Sequence, residues 1–117
     1  MDERANAGMA GTWHSDLGSE LHLELDGDRL AGTYHSAIGC ECREHPVTGF
    51  CNWSSSGDAA TLAFVVPWPV TRSVTTWAGR YDSRTDTISA LWLLATEAPA
   101  AEAWRSTTVG HDAFHRA

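Results

Sequence analysis

The sequence predicts an all-β fold, an eight-stranded antiparallel up-and-down β-barrel. Short runs of residues alternate between apolar and polar, which is the period of a strand with one buried face. Clusters of Gly, Asp and Ser separate these runs at roughly even spacing, and most of the links are short enough to be hairpins. Such spacing fits a sandwich or a barrel, and the barrel is favoured because closure removes the exposed edges of the sheet. A barrel of this size has an interior just large enough for one small ligand.

The first three strands follow a short leading segment. Residues 1–10 are polar and small and are expected to form a flexible N-terminal segment, so the barrel domain spans residues 11–117. A first strand is predicted around residues 11–15. Over residues 20–34 leucines alternate with polar residues, and Asp26-Gly27-Asp28 interrupts the alternation, which predicts a hairpin.

Five further strands follow along the rest of the chain. They are predicted over residues 48–53, 60–66, 73–81, 87–95 and 107–114. Pro67 and Pro69 are expected to end the strand before them, because proline cannot donate a hydrogen bond to a neighbouring strand. Residues 97–103 are rich in alanine, with Pro99 near their start, and predict a short helical turn.

The composition argues against several classes of partner. Arginine alone supplies the 8 basic residues, against 15 Asp and Glu, for a formal charge of −7. Such an acidic chain is poorly suited to nucleic acid or to anionic membrane surfaces, both of which attract basic residues. No apolar run approaches the about 18 residues that span a bilayer. We therefore expect no nucleic acid and no membrane partner.

Three cysteines lie close together in the sequence, at Cys40, Cys42 and Cys51. Cys40 and Cys42 are too near each other for a relaxed disulfide, so one of them is predicted to pair with Cys51. A disulfide indicates an oxidising compartment, and we expect a secreted, extracellular or periplasmic protein whose leader is not present in this chain. The alternative is a metal site formed by the three cysteines and His45, although paired zinc ligands are more often two residues apart.

Tryptophan is frequent, with 6 in 117 residues. Four of the six lie near small hydroxyl residues: Trp68, Trp77, Trp92 and Trp104. Flat apolar rings beside short hydrogen-bonding side chains suit a deep pocket for a small, rigid ligand with a polar head. Each indole could instead be an ordinary core residue whose N–H is satisfied. The other two tryptophans are assigned to the core or the rim of the barrel: Trp13 and Trp53.

A set of short fragments carries a resemblance to a known family. The fragments are Gly11-Thr12-Trp13, Leu17-Gly18-Ser19, Gly32-Thr33-Tyr34, Ser36-Ala37-Ile38-Gly39, Thr75-Thr76-Trp77-Ala78-Gly79, Trp92-Leu93-Leu94, and Trp104-Arg105-Ser106-Thr107 through Gly110-His111-Asp112. With them, residues 11–114 resemble the avidin and streptavidin family, on its bacterial side. The resemblance implies an avidin-like barrel that binds and sequesters biotin at its open end, without catalysis and without a cofactor.

The resemblance also implies which residues hold biotin. They are Ser15, Leu17, Ser19, Tyr34, Ser36, Ile38, Cys40, Trp68, Ser73, Thr75, Trp77, Trp92, Leu94, Trp104 and Asp112. Ser15, Ser19 and Tyr34 would donate to the ureido oxygen, and Asp112 and Ser36 would accept from the ureido N–H groups. Family members carry Asn at the position of Ser15, and one imperfect hydrogen bond there is expected to cost about 1 kcal/mol.

The remaining members of this set have other roles by the same resemblance. Thr75 would contact the thiolane sulfur, and Ser73 with the backbone near Cys40 would hold the carboxylate. The walls and gaps of the ring pocket would be filled by Trp68, Trp77, Trp92, Leu17, Ile38 and Leu94. Trp104 would close a neighbouring subunit's site, which implies a homo-oligomer, a homotetramer or a homodimer. Residues 39–46 would form a lid that the predicted disulfide preorganises.

Two alternatives to biotin binding stay open. A general carrier of lipophilic ligands, in the manner of lipocalins, needs few polar groups in its pocket, whereas this chain offers several hydroxyls and Asp112. The metal site could instead support a metal-dependent enzyme, but no nucleophile–base set stands out and we expect no catalysis. His111 and Asp112 do not form one, because neighbours on a strand face opposite sides. The other histidines considered are predicted to lie on the surface: His22, His35, His45 and His115.

Overall fold

The predicted fold class is confirmed by the computed structural model, which describes residues 8–36 and 43–117. Eight antiparallel strands follow one another in chain order, and the last pairs with the first to close a barrel. The strands are β1 Gly11–Ser15, β2 Glu20–Asp26, β3 Arg29–His35, β4 His45–Trp53, β5 Ala59–Trp68, β6 Ser73–Asp82, β7 Thr87–Ala95 and β8 Thr107–Arg116. A short 3-10 segment, Ala100–Arg105, lies in the link between β7 and β8. It confirms the predicted helical turn.

The core fills the inside of the barrel because burial alternates along the strands. In β4, His45, Val47, Gly49 and Cys51 are buried, and the residues between them are exposed. The two faces of a strand alternate, so the buried set of each strand points to the barrel axis. The largest side chains that are fully buried are Trp13, Phe114, Met9, Leu21, Leu23, Leu30, Ile88 and Val66.

Several strands extend beyond their predicted bounds, among them β4, β5, β6 and β8. β4 begins at His45, and β5 continues through Pro67 to Trp68, so the prediction that the prolines end β5 before Trp68 is wrong. The pairing of β5 with β4 ends at Val65, whereas Pro67 still lies opposite Val74 of β6. Pro67 therefore lies beyond the ladder with β4, where a missing N–H removes no hydrogen bond to that strand.

The two ends of the barrel differ in character. Because consecutive strands of the barrel are antiparallel, β1, β3, β5 and β7 finish at the same end of the barrel where β2, β4, β6 and β8 begin. We call this the open end. At the opposite end, the Arg116 guanidinium lies 3.9 Å from the Trp13 ring and donates to Asp86 over 2.8 Å. Arg116 also donates to the backbone carbonyls of Gly8 and Ala10.

The packed structure begins before the first strand. Met9 is fully buried, and its carbonyl accepts a 3.0 Å hydrogen bond from the Trp13 indole. Met9 and Ala10 belong to the predicted N-terminal segment, of which residues 1–7 lie outside the described residues. Among the residues that are described, no helix is long and apolar enough to cross a bilayer.

Candidate functional site

Three hydroxyl side chains meet at the open end of the barrel. Ser15 ends β1, Ser19 precedes β2, and Tyr34 lies near the end of β3; all three are buried. The backbone N–H of Ser19 donates to Ser15 Oγ over 3.1 Å, and the Tyr34 phenol is hydrogen-bonded to the Ser19 side chain. The backbones of Ser15 and Ser19 are joined as well, by a 2.9 Å bond from Ser15 N to the Ser19 carbonyl. The tight β1–β2 link therefore fixes these hydroxyls relative to one another.

A carboxylate lies close to this hydroxyl group. Asp112 is half-buried on the inner face of β8, and its Oδ2 accepts a 2.9 Å hydrogen bond from the Trp77 indole. Burial raises the pKa of the Tyr34 phenol; the bond from Ser19 acts in the opposite direction, and the negative charge of Asp112 adds to the increase. Tyr34 is therefore a neutral donor at physiological pH, and Asp112 lies near enough to act on it electrostatically.

Aromatic rings form the wall between these polar groups. Trp77 stacks on Phe64 with ring centroids 4.9 Å apart and lies 5.0 Å from the Tyr34 ring. Trp68 meets the Tyr34 ring edge-on at 5.8 Å and donates its indole N–H to Thr75 Oγ1 over 2.8 Å. Because Thr75 Oγ1 already accepts this bond, its own proton is free to be donated elsewhere.

Trp92 extends the wall along β7. It lies opposite Trp77 on β6 and opposite Gly110 on β8. A Cβ atom at Gly110 would overlap the Trp92 indole, so the absence of a side chain there leaves room for the ring beside the β8 backbone. Leu94 follows on the same inner face and is half-buried.

Several of the predicted site residues lie at the rim or outside the described residues. Ser36 and Ser73 are half-buried where β3 ends and β6 begins, and Ser73 is hydrogen-bonded to Thr71 over 2.6 Å. Leu17 is 66 % exposed in the link between β1 and β2. Trp104 is 80 % exposed on the 3-10 segment. Ile38 and Cys40 lie outside the described residues.

The cysteine prediction is not supported by the position of Cys51. Cys51 is a free thiol, buried on the inner face of β4, and burial with the nearby charge of Asp28 raises its pKa. It lies six residues beyond His45, about 20 Å from the open end at the rise of a strand. The predicted bond from Cys40 or Cys42 to Cys51 is therefore not shown; those two cysteines lie outside the described residues.

The same geometry argues against the alternative metal site. His45 and Cys51 lie at opposite ends of β4, about 20 Å apart along the strand, whereas zinc ligands lie within about 2.3 Å of one ion. In residues 8–36 and 43–117, no group of three or more His, Cys, Asp or Glu side chains could hold a metal ion.

Two residues of the site were missed by the sequence analysis. His45 was predicted to lie on the surface, but it is 3 % exposed, and its ring lies 4.7 Å from the Trp68 ring. Phe64, which stacks on Trp77, was assigned no role. The sequence could have indicated that His45 is buried, because Val47 and Cys51 occupy the same alternating face of β4.

This arrangement is suited to binding a small flat ligand with a polar head. Hydroxyl groups, a carboxylate close to them, and indole and phenol rings lie together at the open end. His111 is exposed while Asp112 is half-buried, which confirms that the two face opposite sides of β8.

A model of the avidin family matches residues 3–117. The eight-stranded barrel and the match over nearly the whole chain lead to one conclusion: this chain belongs to the avidin family.

Proposed function

We propose that this protein binds biotin, without catalysis, at the open end of its barrel. The observation that carries the proposal is the pairing of buried hydroxyl donors with an inward carboxylate across one aromatic pocket. Ser15, Ser19 and Tyr34 supply the hydroxyls, and Asp112 supplies the acceptor. Ser19 and Tyr34 are hydrogen-bonded to each other in the free protein, so this bond must open for both of them to donate to a ligand. A cyclic urea needs this combination, since its oxygen accepts hydrogen bonds while its two N–H groups donate them.

Burial makes these polar contacts strong. Asp112 accepts from Trp77 through Oδ2, which leaves Oδ1 to accept from a ureido N–H group as a charge-assisted bond. Polarisation of the urea by this carboxylate would place more negative charge on its oxygen and so strengthen the bonds from the hydroxyls opposite. Trp77 and Trp92 would cover the faces of the bicyclic ring, and Thr75 would donate to the ring sulfur.

Ser15 stands where the family carries Asn, and its hydrogen bonding supports a donor role. Ser15 Oγ accepts from the Ser19 N–H over 3.1 Å, so its own hydroxyl proton is free to be donated to the ureido oxygen. A serine is shorter than an asparagine, and one imperfect bond costs about 1 kcal/mol. We therefore propose that the protein binds biotin tightly, with a slightly weakened hydrogen bond from Ser15 to the ureido oxygen.

The subunit organisation is part of the proposal. Trp104 leaves 80 % of its surface exposed, although large exposed indoles are uncommon in monomers. We propose that Trp104 closes the biotin site of a neighbouring subunit in a homotetramer or homodimer. We also propose that the protein acts outside the cytoplasm, where it sequesters biotin.

Tryptophan fluorescence during titration tests the proposal directly. Biotin is expected to quench or shift the emission and to saturate at one molecule per chain, because indoles line the pocket. Palmitate is the matched probe for a lipophilic carrier and should neither change the emission nor displace biotin. Binding of palmitate without biotin, or of neither ligand, contradicts the proposal.

A further inference from the structure

The short link between β5 and β6 brings an arginine to the rim of the open end. Arg72 is the last residue of this link and directly precedes Ser73, where β6 begins. Its backbone N–H donates to the Pro69 carbonyl over 3.3 Å, and the hydroxyls of Thr71 and Ser73 are hydrogen-bonded over 2.6 Å. The link is therefore a tight turn, and it holds Arg72 beside the serine that would bind the carboxylate of biotin.

The backbone of Arg72 has a conformation that is unusual for its residue type. Its φ is 54°, in the left-handed region that glycine adopts easily and that residues with a Cβ atom adopt rarely. Among the described residues other than glycine, Asp86 shares this region, but aspartate tolerates it better than arginine does. Strained backbone of this kind is found preferentially at functional sites. An arginine at a position that suits glycine points to a use for the guanidinium.

The guanidinium of Arg72 is only loosely paired. Its Nη1 lies 3.9 Å from Oε1 of Glu97, in the link that follows β7, and both side chains are mostly exposed. This separation is longer than an N–H···O hydrogen bond, whereas Arg105 and Arg116 approach their carboxylates to 3.0 and 2.8 Å. The donors of Arg72 can therefore bind a second carboxylate, for which the planar fork of a guanidinium is well shaped.

The charge of the whole protein makes such a cation useful. With a formal charge of −7, the chain as a whole repels an anionic ligand. The tail of biotin ends in a carboxylate, and Glu97 adds a further negative charge at the rim. A positive charge acts on an exposed anion over about 10 Å at 0.1 M salt, so Arg72 can offset this repulsion at the mouth of the pocket.

We propose that Arg72 is a specificity-determining residue that selects ligands whose tail ends in a carboxylate over ligands with a neutral tail. The ligand carboxylate competes with Glu97 for the guanidinium and binds Arg72 beside Ser73. Arg72 and Glu97 therefore act in opposite directions, one favouring the anionic ligand and the other disfavouring it. This inference rests on the proposed biotin function, because it concerns the tail of the ligand that the pocket holds.

The test compares biotin with its methyl ester, which has the same rings and a neutral tail. Association and release rates of both ligands are measured at about 10 mM salt, where charges are weakly screened. In Arg72→Gln we expect the affinity for biotin to fall about fivefold, the effect of one charge pair near the surface, and the affinity for the ester to change less than twofold. In Glu97→Gln we expect biotin to bind about twofold more tightly, again without an effect on the ester.

Three further variants separate charge from structure. Arg84→Gln removes an equally exposed arginine from a turn at the far end and should leave the binding of both ligands unchanged. Arg72→Lys keeps the charge and should retain most of the preference for biotin. Arg72→Gly suits the backbone at this position, so it should fold normally and still lose the preference as Arg72→Gln does. At 1 M salt the effect of Arg72→Gln on biotin should shrink below twofold.

Several outcomes would overturn the role of Arg72. They are equal losses for biotin and its ester in Arg72→Gln, an equal loss of biotin binding in Arg84→Gln, and weaker biotin binding in both Arg72→Gln and Glu97→Gln. The last result would mean that the pair only braces the two links. Binding of both ligands by the wild type with equal affinity would also reject selection by Arg72, while leaving the proposed function intact. Binding of neither ligand by the wild type would reject the proposed function, and the role of Arg72 with it.

Discussion

Trp77 donates its indole N–H to Asp112 over 2.9 Å, although the two residues are 35 positions apart and lie on strands that are not neighbours. The bond passes beneath β7, which separates β6 from β8. Trp92 of β7 lies opposite both Trp77 and Gly110, so three strands contribute to one wall. The bond fixes the acceptor that the proposed site needs and the ring that covers it. The aromatic and polar parts of the site are therefore built as one unit.

Replacement of Asp112 by Asn tests whether Asp112 accepts a hydrogen bond from biotin. The amide oxygen can still accept from Trp77, so the fold should be retained, but the charge-assisted bond to a ureido N–H is lost. A hydrogen bond to a charged group is worth about 1.5–3 kcal/mol, so biotin should be released about 10- to 100-fold faster. Stopped-flow displacement measures the rate. Asp26→Asn, which changes an exposed carboxylate at the end of β2, is the control, and equal rates for the two variants would remove Asp112 from the site.

Replacement of Gly110 by Ala tests the placement of Trp92. The added methyl group would overlap the indole, which has to move. Overpacking of this kind typically costs about 1–3 kcal/mol, and we expect the free energy of unfolding to fall by that amount in chemical denaturation. Biotin affinity should fall with it. Val109→Ala, at the neighbouring exposed position, should change neither quantity, and an unaffected Gly110→Ala protein would show that Trp92 does not lie over this glycine.

The phenol groups give a prediction at alkaline pH. Burial is the largest cause that raises the pKa values of Tyr34 and Tyr81, the two tyrosines of the chain, above the ordinary value of 10.0. In absorbance titration, fewer than half of the phenols should be ionised at pH 10. A pKa that is higher in the folded state stabilises the fold most below the unfolded value, and this contribution disappears as the pH rises through the folded value. Unfolding free energy should therefore decrease above pH 10, and a normal phenol titration would contradict this account.

The cluster at the far end of the barrel gives a prediction on stability. In Arg116→Ala the protein loses the contact with Trp13 and the bonds to Asp86, and we expect a loss of about 1–2 kcal/mol at pH 7. Hydrogen bonds from Arg116 lower the pKa of Asp86 below the ordinary 3.8, so this pair stabilises the fold above that pH. Its contribution is lost as the pH falls through the lowered pKa of Asp86.

The difference between wild type and Arg116→Ala should therefore shrink below about pH 4, as measured by urea unfolding. Arg84→Ala is the matched control, since Arg84 forms a similar pair with Asp82 in an exposed turn at 3.5 Å. We expect that variant to unfold at nearly the same urea concentration as the wild type, because solvent screens an exposed ion pair. A loss as large as that of Arg116→Ala would argue against a special role for the terminal cluster.

Replacement of Trp104 by Ala distinguishes an effect on the single barrel from an effect on the assembly of subunits. Because 80 % of Trp104 is exposed, its removal should change the stability of a single barrel by less than about 0.5 kcal/mol. Biotin release should nevertheless become faster, because a neighbouring site loses its cover. Val70→Ala, another exposed apolar residue at the open end, should leave release unchanged. Light scattering reports the oligomer in each variant, and a monomeric wild type or an unchanged rate in Trp104→Ala would contradict the shared site.

Much of the barrel could be predicted because alternation sets the faces of a strand. β1 and β7 have the predicted bounds, and the inward positions of Trp77 and Asp112 follow from the same period of two. β5 was predicted too short, because proline was expected to end a strand that has a neighbouring strand on both sides. Pro67 is tolerated in β5 because the pairing with β4 has already ended at Val65.

The parts of the site that could not be predicted lie mostly in links. The exposure of Leu17 could not be predicted, since no periodicity fixes the direction of a side chain between strands. His45 was misplaced for a different reason. Its strand was predicted to begin three residues later. His45 was also assigned to the surface because the histidines show no spacing typical of a metal site, although it shares the inner face of β4 with Val47.

The most direct measurement is a crystal structure of the protein grown with biotin. We predict electron density for the bicyclic ring inside the open end, with Trp77 and Trp92 against its faces. The ureido oxygen should lie within about 3.2 Å of the Ser15, Ser19 and Tyr34 oxygens, and a ureido N–H should donate to Asp112. Biotin bound only on the outer surface, or an interior filled by the protein's own side chains, would contradict the account.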